Sequence, residues 1–117
     1  TSMGRVMLAA LSDDELDRLL ATATLDRRTS STITRRPALR DEINLVRERG
    51  WSIVDQELEI GVRSIAVPIR DTRGVVVAAI NASAHASRVE IDELQTRFLA
   101  RLQRAAAEIT DDLRARR

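Results

Sequence analysis

The sequence predicts an α+β fold in which helices flank an antiparallel sheet. Three features lead to this prediction. Residues with capping properties begin segments that carry apolar residues at helical spacing, the middle of the chain alternates with the period of a β-strand, and a turn sequence separates the last two strand segments. The 117 residues have the size of one domain.

Two helices are predicted at the start of the chain. Thr1 or Ser2 can cap a short helix that contains the apolar residues of positions 6–11. Ser12 and Glu15 have the spacing of a capping box and predict a second helix. The apolar residues of this helix are Leu16, Leu19, Leu20 and Ala23. Because the chain opens at a helix cap, we expect strands of the same fold to precede it.

A loop and a third helix follow. Residues 24–36 are rich in Thr and Ser, which predicts a loop with at most one short edge strand. Pro37 suits the first turn of a helix, and Gly50 can supply its left-handed end. Between them, the apolar residues at helical spacing are Leu39, Ile43 and Val46.

Three strands are predicted between residues 51 and 83. Apolar and polar residues alternate over 51–58 and 64–70, and 75–80 is continuously apolar. The turn residues of 71–74 predict that the last two strands form an antiparallel hairpin. Pro68 cannot donate a backbone hydrogen bond, so we expect it at a sheet edge or a bulge.

A long helix is predicted to end the chain and to cover one face of the sheet. Ser87 and Glu90 have capping-box spacing, and the helix should extend from about Val89 to about Leu113. The arginine-rich end, 114–117, indicates a solvated terminus more readily than a contact with DNA phosphate. The apolar stripe of the helix comprises Ile91, Leu94, Phe98, Leu102, Ala105, Ile109 and Leu113.

The composition excludes several classes of function. Nineteen basic residues nearly balance eighteen acidic ones, so no broad basic field favours nucleic acid, and the 2% of aromatic residues cannot form a base-stacking surface. Cysteine is absent, which removes disulfides and thiolate chemistry. No apolar run is long enough to cross a membrane, and we expect a cytoplasmic location without membrane partners.

No catalytic or metal-binding constellation is evident in the sequence. Glu57 and Glu59 could imitate a catalytic carboxylate pair, but no nucleophile or metal ligand accompanies them. His85, the one histidine, should lie in a solvated loop, and one histidine without cysteine cannot build the usual structural zinc site. We therefore expect no enzyme activity, no cofactor and no metal.

One segment resembles a known family. Residues 49–71, RGWSIVDQELEIGVRSIAVPIRD, resemble the signature of the isocitrate-lyase-regulator (IclR) family of bacterial transcription regulators. Residues 1–11, with Gly4-Arg5 and Leu8-Ala9, and the threonine-rich residues 29–33 are similar to other segments of the same domain. The variant at 54–58, Val-Asp-Gln-Glu-Leu, is similar to the branch that responds to protocatechuate, 4-hydroxybenzoate and related acids.

The resemblance implies a partial GAF-like effector-binding domain over residues 1–117. In such regulators this domain binds a small organic acid, here an aromatic one, and follows a winged helix-turn-helix domain that this chain lacks. The resemblance also implies homodimers, or tetramers, that bind operator DNA through the missing domain. Two alternatives are a dimerisation module with a vestigial pocket and a small enzyme of the esterase or isomerase type.

The resemblance places the effector against the segment that opens the domain. Backbone amides at a helix start can bind a carboxylate, so Ser2, Met3 and Gly4 are candidate donors. The alternative is a helix cap without a ligand. Arg5, Arg63 and Arg70 could also pair with an acid, but in a chain so rich in arginine each is more readily explained as a surface or salt-bridge residue.

The remaining candidate ligand contacts lie on the strands. Ser64, Asn81 and Ser83 match the family's ligand-facing positions, and the two-residue spacing keeps Asn81 and Ser83 on one face. Each could instead face solvent or bond internally. The sequence departs from the family at Val54, where some members carry an acidic ligand contact, and the neighbouring Asp55 is expected to point to the other face.

Overall fold

The computed structural model describes residues 1–115 and has an α+β architecture, which confirms the predicted fold class. The elements in chain order are α1 (Ser2–Ala9), α2 (Asp13–Thr22), α3 (Arg36–Arg49), β1 (Ser52–Asp55), β2 (Val62–Arg70), β3 (Val76–His85), α4 (Ile91–Glu93), a π-helical segment (Leu94–Phe98) and α5 (Leu99–Ala115). The strands form one antiparallel sheet in the order β1-β2-β3.

The caps of the first three helices follow the local sequence. The Thr1 side chain accepts a hydrogen bond from the Gly4 amide, and both halves of the capping box of α2 are present. Gly50 ends α3 with a φ of 82°, in the left-handed region that glycine tolerates best. Of the apolar residues predicted for α2, Leu16 and Leu20 are buried against α3, Leu19 is 50% exposed, and Ala23 is the C-cap of the helix.

The sheet register accounts for Pro68 in the central strand. β1 pairs with β2 only from Arg63 to Ala66, so Pro68 lies beyond the paired stretch on that side, and an irregularity follows between Ile69 and Arg70. The expected edge or bulge position is therefore confirmed. β3 extends beyond Ile80 and ends at His85, so the placement of His85 in a loop was wrong.

The last helix begins later than predicted. Its N-cap is Glu90, whose backbone N–H donates to Glu93 Oε1 at 3.5 Å. The Ser87 hydroxyl lies 2.7 Å from Nδ1 of His85 and does not cap the helix. On the buried stripe, Ala106 is buried in the same cluster as Leu94 and Leu102, whereas Ala105 is half-buried. Leu113 is exposed, and Arg116 and Arg117 lie outside the described residues.

The two faces of the sheet are covered by different helices. On one face, Ile65, Val67 and Ile69 of β2 pack against α5 and form the largest apolar cluster. The alternate residues of β2 face α1, which contacts all three strands, and there Ala66 packs with Val6 and Val46. The side chains on the α1 face are small or polar towards the start of α1, and this leaves a cavity.

Candidate functional site

The cavity lies between the first turn of α1 and the adjacent face of the sheet and has a volume of about 160 Å³. All three strands and the turn between β1 and β2 contribute to its wall. It is lined by Thr1, Ser2, Met3, Val54, Leu58, Glu59, Val62, Ser64, Asn81 and Ser83.

Five of the six residues singled out from the sequence converge on this cavity, namely Ser2, Met3, Ser64, Asn81 and Ser83. The strand register brings the last three together, because Ser64 in the central strand lies directly opposite Ser83. The Ser64 hydroxyl donates to the Ser2 hydroxyl at 2.9 Å, and Asn81 Nδ2 lies 3.5 Å from Ser83 Oγ. These side chains therefore form one polar wall.

The helix start also supplies two residues with unpaired backbone amides, Ser2 and Met3, to the lining of the cavity. The first N–H groups of an α-helix have no partner within the helix. The Thr1 hydroxyl accepts the Gly4 amide at 2.9 Å, whereas no acceptor within residues 1–115 is paired with the amides of Ser2 and Met3. Gly4 also lines a neighbouring cavity instead of this one. The structure thus separates Gly4 from the other five candidates.

Apolar side chains line the cavity beside the polar ones. Val54 is 7% exposed and pairs with Ser64 in the register, so the two side chains lie next to each other on one face of the sheet. Leu58 and Val62 complete the apolar lining. The acid next to Val54, Asp55, points to the other face of the sheet as expected and accepts a hydrogen bond from Arg63 Nε at 3.0 Å. The cavity therefore combines neutral hydrogen-bonding groups and a hydrocarbon surface with one carboxylate, that of Glu59.

None of the three candidate arginines lines the cavity. Arg5 is bound by Glu57 through two hydrogen bonds, Arg63 is bound by Asp55, and Arg70 donates to the carbonyl of Gly74 at 3.1 Å. Two of them are thus salt-bridge residues and the third is an exposed residue. An acid in the cavity would have to be bound by neutral groups.

Glu57 and Glu59, the carboxylates singled out from the sequence, lie in different surroundings. Glu57 is paired with Arg5, whereas Glu59 is exposed and lines the cavity. No group of three or more potential metal ligands occurs in the described part of the chain. Over the same residues, the helices are too short or too polar to cross a membrane.

Sequence reasoning missed part of the cavity wall. Val62 could have been found, because it precedes Ser64 by two residues and so shares its face of β2. Leu58 and Glu59 enter through the turn after β1, in which Gln56 adopts a φ of 57°. No residue pattern in the sequence indicates where that turn leads.

Larger cavities occur at other places in the fold. One of about 400 Å³ lies at the other end of α1, beside Val6, Ala9 and Pro68. Another, of about 280 Å³, adjoins the candidate cavity of about 160 Å³ and shares Thr1, Val54 and Leu58 with it. Neither brings together the polar side chains of the strands.

Comparison with known families decides the relationship. Residues 1–111 match the family model described as the bacterial transcriptional regulator IclR C-terminal domain. The chain belongs to the IclR family. It is an effector-binding domain of a transcriptional regulator, and its relatives are regulators rather than enzymes.

Individual relatives of this IclR domain agree with that assignment. It is 49% identical over 113 residues to the Pca regulon regulatory protein of Pseudomonas putida, covering 97% of the chain and 39% of the relative. It is 37% identical over 110 residues to the regulator KdgR of Escherichia coli K12, covering 94% and 41%. The chain thus spans about two fifths of the length of these relatives.

Solved structures share the fold of the IclR domain. A transcriptional regulator, RHA06195, from Rhodococcus sp. RHA1 superposes with a TM-score of 0.94 at 46% identity, over 97% of this chain and 46% of the other. A double mutant of the PobR inducer-binding domain from Acinetobacter, in complex with 3-hydroxybenzoic acid, gives 0.90 at 30% identity, over 94% and 63%.

Proposed function

We propose that this IclR domain binds a small aromatic acid in the cavity beneath α1. The observation that supports this most is the convergence of two unpaired amides, three polar strand side chains and an apolar wall on one cavity. Binding would bias how the complete regulator presents an N-terminal winged helix-turn-helix domain to its operator. Allosteric coupling of this kind amounts to about 1 to 3 kcal/mol.

The chemistry of the cavity suits such a ligand. The amides of Ser2 and Met3 can donate to a carboxylate at a helix start, where the helix dipole also favours negative charge. Ser64, Asn81 and Ser83 can hydrogen-bond the acid or a ring hydroxyl, and Val54 can contact the ring. The volume of about 160 Å³ is adequate for one ring, because a dry cavity of about 150 Å³ can hold benzene.

The relatives support an aromatic effector. The similar proteins include the Pca regulon regulator, a p-hydroxybenzoate hydroxylase transcriptional activator and the PobR domain bound to 3-hydroxybenzoic acid. The replacement of an acid by Val54 favours an apolar ring over a small hydrophilic acid at this wall.

The assembly and location of the protein follow from the proposed role. We propose that the complete regulator forms homodimers or tetramers in the cytoplasm and binds operator DNA through a domain outside this chain. Strands outside residues 1–117 would complete the effector domain. This accords with the coverage of only 68% of the isolated C-terminal domain of KdgR.

A thermal-shift panel tests the proposal. Purified protein is heated with 3-hydroxybenzoate, 4-hydroxybenzoate, protocatechuate and aliphatic acids of similar size. At 100-fold excess over its Kd, a ligand stabilises the folded state by about 2.7 kcal/mol, so at least one aromatic acid should raise the Tm.

Two matched variants locate the effect. Asn81→Leu fills the cavity and should abolish the shift, whereas Asn44→Leu, the same change on the exposed surface of α3, should preserve it. If no acid raises the Tm of the unaltered protein, a dimerisation module with a vestigial pocket becomes the better account.

A further inference from the structure

We infer that the buried ion pair of Arg5 and Glu57 positions the first turn of α1 for carboxylate binding. The pair would act through geometry, and neither member would touch the effector. This inference rests on the proposed function, since it assigns how the same cavity is held in its binding shape.

The pair is closely fitted and poorly accessible. Arg5 Nη1 lies 2.9 Å from Glu57 Oε2, and Arg5 Nη2 lies 2.5 Å from Glu57 Oε1. The two side chains are only 9% and 15% exposed. Two parallel N–H···O bonds between planar groups fix orientation as well as distance.

Each member of the pair is attached to one wall of the cavity. Arg5 follows the donors Ser2 and Met3 within the same helix, and Glu57 immediately precedes Leu58, which belongs to the apolar wall. The partners are 52 residues apart in the chain. The pair is therefore a cross-link between the helix start that carries the donors and the turn that carries Leu58.

The turn is anchored from its other side as well. The threonine-rich loop donates Thr29 Oγ1 to the carbonyl of Gln56 at 2.5 Å and Thr32 Oγ1 to the carbonyl of Glu57. These contacts fix the turn relative to the loop, and Arg5 then fixes α1 relative to the turn. Without the pair, α1 would keep its contacts with the sheet but lose this constraint on its first turn.

The charges of Arg5 and Glu57 compensate each other, which favours a geometric role for the pair over direct attraction of the acid. The pair is neutral as a unit and lies beside the neighbouring cavity, separated from the proposed effector cavity by the shared residues Val54 and Leu58. Recognition of a carboxylate by neutral amides depends on their placement, because each donor must lie at hydrogen-bond distance from the anion. A displaced first turn would weaken binding of the carboxylate while leaving the ring contacts in place.

The experiment compares an acid with its neutral isostere. Titration calorimetry of the purified protein gives Kd values for 3-hydroxybenzoate and 3-hydroxybenzamide. Arg5→Lys keeps the charge but loses the bidentate geometry, and it should weaken acid binding by about tenfold or more, the loss expected for a hydrogen bond to a charged group, while amide binding changes by less than about threefold.

Arg63→Lys is the matched control. Arg63 is also a buried arginine paired with a carboxylate, that of Asp55, but it lies on the sheet face covered by α5. Its replacement should lower the Tm and leave both Kd values unchanged. A loss of acid selectivity in this variant would overturn the assignment to the Arg5 pair.

A second variant separates geometry from charge. Glu57→Gln leaves the Arg5 charge uncompensated, so a purely electrostatic role predicts tighter binding of the acid, whereas a positioning role predicts weaker binding. Tighter binding of the acid by Glu57→Gln would overturn the inference. So would an unchanged ratio of the acid and amide Kd values in Arg5→Lys. If the unaltered protein binds none of the aromatic acids of the panel, the proposed function itself fails and the inference fails with it.

Discussion

The two faces of the sheet differ because alternate residues of each strand project to opposite sides, one side packed against α5 and the other facing α1. In β2, Ile65 and Val67 project into the apolar cluster beneath α5, whereas Ser64 and Ala66 project towards α1. The α5 face is filled by branched side chains. The α1 face has small and polar side chains near the start of the helix and retains a cavity.

Adjacent residues of one strand project to opposite faces, so one residue packs in the core while the next lines the cavity. Apolar side chains filling the space under α5 contribute folding free energy through burial. Polar side chains facing inward are costly unless they are hydrogen-bonded, and Ser2 and Ser64 bond mainly to each other. Of two substitutions at adjacent positions of one strand, one should therefore change the free energy of unfolding and the other the affinity for the effector.

The largest effect is expected from Ile65→Ala. Ile65 is fully buried in the α5 cluster, so its truncation leaves a cavity and should reduce the free energy of unfolding by about 2 to 5 kcal/mol. Urea denaturation measures the loss. Calorimetry on the folded variant should show an unchanged Kd for the effector acid, and a large change in affinity would show that the two faces are not independent.

Asn81→Ala and Ser83→Ala should weaken effector binding and leave the stability of the fold nearly unchanged. Each removes a hydrogen bond to the charged ligand, worth roughly 1.5 to 3 kcal/mol, and should raise the Kd for the acid by about one to two orders of magnitude. The unfolding midpoint should change little, because neither side chain is buried. Normal binding by both variants would remove these residues from the site.

The turn between β2 and β3 belongs to neither face and should have a smaller, pH-dependent effect. The Val75 backbone N–H donates to Asp71 Oδ1 at 3.0 Å and lowers the pKa of that carboxyl below its ordinary 3.8, with a further contribution from the Arg73 N–H. A lowered pKa in the folded state stabilises the protein above pH 3.8, and this contribution is lost as the pH falls towards the folded value.

Asp71→Asn checks this expectation. Denaturation curves between neutral pH and pH 3 should show a shallower acid dependence for the variant than for the unaltered protein. Identical acid dependence would mean that Asp71 contributes nothing to it.

The smallest effect is expected at Ser52. Its hydroxyl is fully buried on the α1 face and has no hydrogen-bond partner within residues 1–115. Removal of an unpaired buried polar group avoids its desolvation cost, so Ser52→Ala should be neutral or slightly stabilising. A clear loss of stability in thermal denaturation would reveal a partner for the hydroxyl.

Local sequence signals predicted the ends of a helix where one or two residues determine them. Pro37 and Gly50 mark the ends of α3 because each has a restricted or unusual backbone preference. The start of the last helix was mispredicted because overlapping capping-box patterns begin at Ser87 and Glu90, and His85 engages the serine. Spacing alone does not decide between such patterns.

The candidate site residues were predicted from the resemblance to IclR regulators, and strand periodicity added that two of them share a face. The two-residue spacing of Asn81 and Ser83 placed them on one face without knowledge of the fold. Gly4 was also predicted as a carboxylate donor, but its amide donates to the capping hydroxyl of Thr1 instead. The cross-link between Arg5 and Glu57 joins residues distant in the chain, and only the folded structure brings them together.

Chemical-shift mapping locates the acid bound to the protein. When 3-hydroxybenzoate is added to ¹⁵N-labelled protein, the account predicts the largest shifts at the amides of Ser2 and Met3 and at the side-chain amide of Asn81. Leu102 and Ala106, beneath the opposite face, should hardly shift. Saturable binding with its largest shifts in α5, or around the cavity lined by Val6, Ala9 and Pro68, would contradict the account.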